Sequence, residues 1–114
     1  MSTAPGDALA ARLAPYRTHA GIVAALLISG DGFVVAADAD AGIAVDAVAA
    51  QAAGVIDSSS RLASELGSRE ARYIAAELDG LNVVLAPFGD ELTLVLAGRP
   101  DTLICDFRLA GGGG

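Results

Sequence analysis

Apolar residues recur along this chain in two rhythms, one of three and four, the other unbroken. In DALAARLAPYRT, residues 7 to 18, Leu9, Leu13 and Tyr16 stand four and three apart. That is a helical stripe, with Asp7 as its N-cap and Pro15 keeping it short or kinked. GIVAALLIS, 21 to 29, is apolar at both parities and predicts a strand covered on both faces. FVVAA, 33 to 37, follows after only Gly30-Asp31-Gly32. A short link with glycine between two β-prone runs predicts a hairpin. The grammar recurs: Leu78-Asp79-Gly80 joins ARYIAAE (71 to 77) to LNVVLAPF, and Phe88-Gly89-Asp90-Glu91 leads into LTLVLAG. Links this short join antiparallel neighbours, because a parallel crossover takes a dozen residues or more. The reading is five mostly antiparallel strands with helices on both sides.

The long segment from Ile43 to Gly67 supplies the main cover. Val45, Val48, Ala49, Ala52, Val55, Ile56, Leu62, Ala63 and Leu66 fall in one arc at 100° per residue, and Gly67 is a good stop. The opposite face mixes charge with very small residues: Asp46, Ala47, Ala50, Gly54, Asp57, Ser58, Arg61 and Glu65. Glycine inside a helix costs about 1 kcal/mol relative to alanine, so Gly54 wants a packing reason. A strip of small residues lets another backbone approach closely; an alanine-rich composition would also produce one. ARYIAAE, with Arg72 and Glu77, is the least hydrophobic strand and the best edge, open to pairing with a second copy. After Asp101, Leu103, Ile104, Phe107 and the stem of Arg108 suit one short helix. The division is a single domain over 1–110 and a flexible glycine tail over 111–114.

Charge narrows the partners. Seven arginines face fourteen acids and there is no lysine, for a net charge of −7. Such a surface repels polyanions, so nucleic acid is not an expected ligand. The longest apolar run, Ile22 to Ile28, is too short to insert across a bilayer, which takes about 20 residues. A lone cysteine, Cys105, and no secretory signal pattern fit a reducing cytoplasm.

The stretch LLISGDGFVVAADADAG, 26 to 42, invites two chemical readings and fails both. A phosphate-cradling glycine loop leads from strand to helix, whereas Gly30 and Gly32 lie between two strands with no lysine following. A calcium loop begun at Asp38 needs glycine sixth and an acid twelfth, and those places hold Ile43 and Ala49. The stretch is a turn. His19, the only histidine, reads as a surface residue, and Cys105 among apolar neighbours reads as a core thiol. Ser58, Ser59 and Ser60 lie inside a predicted helix, and Asp90 and Glu91 occupy a hairpin turn. These residues do not assemble an acid, a base and a nucleophile, nor a zinc site, so no enzyme, cofactor, metal or catalytic residue is expected.

In its element order, with AALLISGDGFVVAA as first hairpin, LASELG closing the second helix and LNVVLAPFGDELTLVLAG as the last two strands, the chain resembles the Roadblock domain. This is the family of the dynein light chain Roadblock type and its bacterial MglB-like relatives. The likeness runs from about Pro5 to Leu109. It implies an α+β fold, an α/β/α sandwich of Roadblock/profilin-like type. A five-stranded, mostly antiparallel sheet would carry a long helix on one face and the terminal helices on the other.

The resemblance further implies a dimer, with itself or with another Roadblock-type chain. The third strands pair through Arg72, Tyr73, Ile74, Ala75 and Ala76, and the long helices meet through Ala47, Ala50, Gly54, Asp57 and Arg61. Asp46, Gln51, Ser58 and Glu65 are left to face a partner. The implied function is a non-enzymatic, cytoplasmic regulator or scaffold that binds a Ras-like small GTPase and modulates its cycle. It carries no arginine finger, so Arg61, Arg69 and Arg72 have no catalytic role. The rival readings are an adaptor indifferent to nucleotide state and a profilin-like sensor of a small ligand.

Overall fold

The computed structural model describes residues 5–19, 21–69 and 73–100. The elements, in order, are α1 (Pro5–Ala11), α2 (Ala14–Arg17), β1 (Ile22–Ser29), β2 (Val34–Ala39), α3 (Val45–Glu65), β3 (Ile74–Leu78), β4 (Leu81–Phe88) and β5 (Leu92–Gly98). The strands form one sheet in the order β2-β1-β5-β4-β3, every neighbouring pair antiparallel. The expected short C-terminal helix and glycine tail lie outside the described residues. No helix among the described residues is long and apolar enough to cross a membrane.

The α+β sandwich follows from how the strands alternate. Ala25, Leu27, Val84, Leu94 and Leu96 point to one face, where Leu13 is completely buried among them. Leu13 sits in the turn between α1 and α2, so these two short helices straddle it over that face. The interruption expected at Pro15 is real, because proline stands at the start of α2. Asp7 is not a cap: α1 already begins at Pro5, whose fixed φ suits a first helical position. Arg12 stacks 5.1 Å above the Phe88 ring and ties α1 to the end of β4.

Ala24, Leu26, Ile28, Leu85 and Val95 point to the other face, under α3. β1, buried on both sides as its unbroken apolar run predicts, is the core strand. β2 begins at Val34 and runs to Ala39, a residue later and two residues further than the expected 33 to 37. Phe33 belongs to the turn, where Ser29 N–H bonds its carbonyl at 2.9 Å, and a bulge at Leu27/Ile28 absorbs the offset.

The long helix ends as its glycine predicts. Gly67 has φ +79°, and the N–H groups of Gly67 and Ser68 bond the carbonyls of Ser64 and Ala63 at 3.1 and 2.8 Å. This pair of bonds is a Schellman stop. Its apolar arc is only partly core. Ala49 and Ala52 are buried and Val45, Val48, Ile56 and Ala63 half-buried, but Val55, Leu62 and Leu66 are 45%, 61% and 76% exposed. The reason is width. A helix about 10 Å across cannot cover five strands about 4.8 Å apart; α3 approaches β1 and β2 most closely, and its buried alanines share a cluster with Leu85 and Val95.

Candidate protein-binding surface

Beside α3 the sheet is incompletely covered by the described residues. A trough of about 550 Å³ opens between the helix flank and the outer strands. Ala44, Ala47, Val48, Gln51, Ala52 and Val55 form one wall. Ile74, Ala76 and Leu78 of β3, with Leu81, Val83 and Leu85 of β4, form the floor. Gln51 is the one polar side chain among these twelve. Seven residues beyond Val55, Leu62 continues the same flank past the trough, two helical turns on. β3 bounds the floor as an edge strand, so among the described residues no strand pairs with its outer side. Of the edge expected over 71 to 77, the described part, Ile74 to Glu77, lies in β3 at the rim of the described sheet. β2 is the other edge, and Asp38 and Asp40 at its end are held by Arg17.

The residues singled out from sequence divide around this trough. Ala47, Gln51, Ile74 and Ala76 line it. Ala75 alternates to the opposite face of the sheet and is exposed, Tyr73 packs half-buried against the α1 side, and Arg72 lies outside the described residues. Asp46, Ala50, Gly54, Asp57, Ser58, Arg61 and Glu65 are exposed on α3 and do not line the trough. Arg61 pairs with Asp57 one turn back at 3.0 Å. A Cβ at Gly54 would meet nothing within 4 Å, so the packing reason sought for this glycine is not supplied by the described residues. Val55, Leu62 and Leu78 were missed as surface residues. For Val55 and Leu62 the signal was present, since an apolar arc wider than one helix can bury needs a second cover; Leu78, in a hairpin link by sequence, gave none.

Two features hold the surface in shape. Gly32 seats the β1–β2 turn against α3: a Cβ there would come within 3.0 Å of Ala53 Cβ and 3.5 Å of the Ala49 carbonyl, and its φ is +87°. Arg17 joins three segments. Its Nε donates to Asp38 at 3.1 Å, its Nη2 to Asp40 at 2.6 Å and its Nη1 to the Ile22 carbonyl. The hydrogen bond to Asp40 leads in pushing the Arg17 pKa above its ordinary value, against partial desolvation. This clamp fixes α2 to the start of β1 and the loop that launches α3.

Asp90 and Glu91 are exposed in the β4–β5 turn, His19 is exposed after α2, and Cys105 lies outside the described residues. Among the described residues no group of three or more His, Cys, Asp or Glu side chains converges to hold a metal ion.

Comparison with known proteins gives this shape a context. Residues 9–97 match the Roadblock/LC7 domain. The fold is similar to that of MglB in a tetrameric arrangement, with TM-score 0.81 and 19% identity over 98% of this chain and 86% of that one. It is similar to the gliding protein MglB of Thermus thermophilus, with TM-score 0.79 and 20% identity over 98% and 87%. For Myxococcus xanthus MglB the TM-score is 0.78 and the identity 18%, over 96% and 83%. No curated protein matches the sequence.

Proposed function

We propose, from the premise that the chain belongs to the Roadblock/LC7 family, that it is a dimeric, non-enzymatic regulator or scaffold for a Ras-like small GTPase in the cytoplasm. The observation that carries the reading is the trough: a helix's width of apolar sheet, walled by α3 and edged by a strand that is paired on one side only among the described residues. A second α3 has the width and the apolar flank to fill it. Val55 and Leu62, exposed in one copy, would be covered by the other. The same motion would bring two β3 edges together and satisfy their backbone groups. A stable interface of this kind buries on the order of 1,200 Å² or more. The tetrameric arrangement of one MglB shows that a protein of this fold self-associates.

The GTPase is the partner that the Roadblock resemblance implies. In the dimer, the outer faces of the α3 helices remain free, with Asp46, Ser58 and Glu65 exposed there. These would meet the partner's surface without supplying a reacting group. The test is direct: load candidate Ras-like GTPases with GDP or a non-hydrolysable GTP analogue, then measure binding and hydrolysis with and without this protein. Nucleotide-dependent binding supports the regulator. Equal binding in both states would leave an adaptor, and no binding in either would remove the GTPase. A small-ligand sensor finds less support, because among the described residues lining the trough Gln51 alone has a polar side chain to orient a ligand.

A further inference from the structure

We propose that two copies join with Ala76 of each β3 on the two-fold axis, which sets Ile74 against Leu78 of the partner subunit; this rests on the dimer proposed above. The argument is one of parity and length. A two-fold axis perpendicular to the sheet leaves both troughs on the same side. In an antiparallel ladder, directly opposed residues point to the same face. Trough-facing Ile74, Ala76 and Leu78 can then oppose only one another, and Ala75 and Glu77 only one another. The axis must pass through a residue, never between two.

Five residues compete for that place, and four fail. With Ile74 or Leu78 on the axis, most of Ile74–Leu78 opposes no residue of the described strand. Glu77 on the axis would set two carboxylates directly opposite, about 5 Å apart, which repel. With Ala75 there, Ile74 meets only an alanine and Leu78, 54% exposed, overhangs the end of β3. Ala76 is the midpoint of Ile74–Leu78, so the whole strand finds its twin. Leu78 is then covered twice over the dimer, and the small Ala76 pair leaves room above for two helices. The backbone agrees. A two-residue turn makes Leu78 and Leu81 a hydrogen-bonded pair, so alternation turns the N–H and C=O of Ala75 and Glu77 outward. In this register each Ala75 exchanges both bonds with Glu77 of the partner subunit.

Cysteine cross-linking reads the register. In a Cys105→Ser background, Ala76→Cys places two thiols on a non-hydrogen-bonded pair with Cα atoms about 4.5 Å apart, within disulfide reach. Ala75→Cys places them about 8 Å apart, beyond reach. Under mild oxidation Ala76→Cys should give a covalent dimer at least about tenfold faster than Ala75→Cys, given those distances. Should Ala76→Cys disturb assembly, mixed Ile74→Cys and Leu78→Cys chains should form the crossed disulfide in preference to either like pair. Faster linkage through Ala75→Cys, or like pairs outrunning the crossed one, overturns the register and leaves the dimer standing. Light scattering that finds the unaltered protein monomeric overturns the dimer and the register with it.

Discussion

Arg17 does at one point what no element does alone, since it bonds two carboxylates and a main-chain carbonyl from three separate segments. Its side chain is 20% exposed while those of Asp38 and Asp40 are near half exposed, so solvent weakens each pair. Arg17→Ala should therefore cost about 1–2 kcal/mol, part of it from leaving the Ile22 carbonyl without this donor. Thermal unfolding followed by circular dichroism measures it. Because the Arg17 pKa is raised, its contribution is complete below arginine's ordinary titration and is lost only above it. Stability curves of wild type and Arg17→Ala should thus run parallel between neutral and mildly alkaline pH. Gly32 is the other singular residue. Gly32→Ala combines a positive φ with a 3.0 Å approach to Ala53, and should destabilise by about 2 kcal/mol. None of Arg17's partnerships is legible in sequence, because Asp38 and Asp40 stand 21 and 23 positions away. The need for glycine at 32 is legible as a turn, but its seat on α3 is not.

At the scale of elements, periodicity reports which face of a segment is apolar and is silent about what covers it. β1 escapes that ambiguity, since an unbroken apolar run demands cover on both sides and has it. The span and stop of α3 were also legible, through the arc and Gly67. Its division into core and surface was not: Ala52 and Val55 are neighbours on the arc, yet one is 6% and the other 45% exposed. That difference depends on where the sheet ends beneath the helix. Ala52→Asp should bury an unpaired carboxylate and abolish cooperative folding by circular dichroism. Val55→Asp and Leu62→Asp should leave the melting of the isolated subunit within about 0.5 kcal/mol, as surface changes do. The same two substitutions should shift light scattering from dimer to monomer. If they unfold the chain as Ala52→Asp does, the flank belongs to the subunit's own core and not to an interface.

For the whole molecule, strand order decides everything about the surface. The hairpin links were readable, yet the order β2-β1-β5-β4-β3 requires β1 to pair with β5 across the intervening α3 and β3–β4 hairpin. A local signal cannot carry such a pairing. Among the described residues that order puts β3 at the rim, leaves the floor beside α3 incompletely covered and makes the trough. It also separates two surfaces on one helix: the apolar flank over the trough, and the outer face with Asp57 and Arg61. The two faces should then fail independently. Val55→Asp, aimed at the trough, should abolish dimerisation and lower GTPase binding in step with the fraction of dimer, if the partner spans both copies. Asp57→Ala and Arg61→Ala together remove an exposed pair worth about 0.3–0.5 kcal/mol to the helix. They should leave the dimer whole, so any fall in GTPase affinity locates docking on the outer face. Titration calorimetry against the loaded GTPase, with light scattering of the same samples, separates the two. A variant that is fully dimeric and binds normally with the outer face altered would move the docking site off α3.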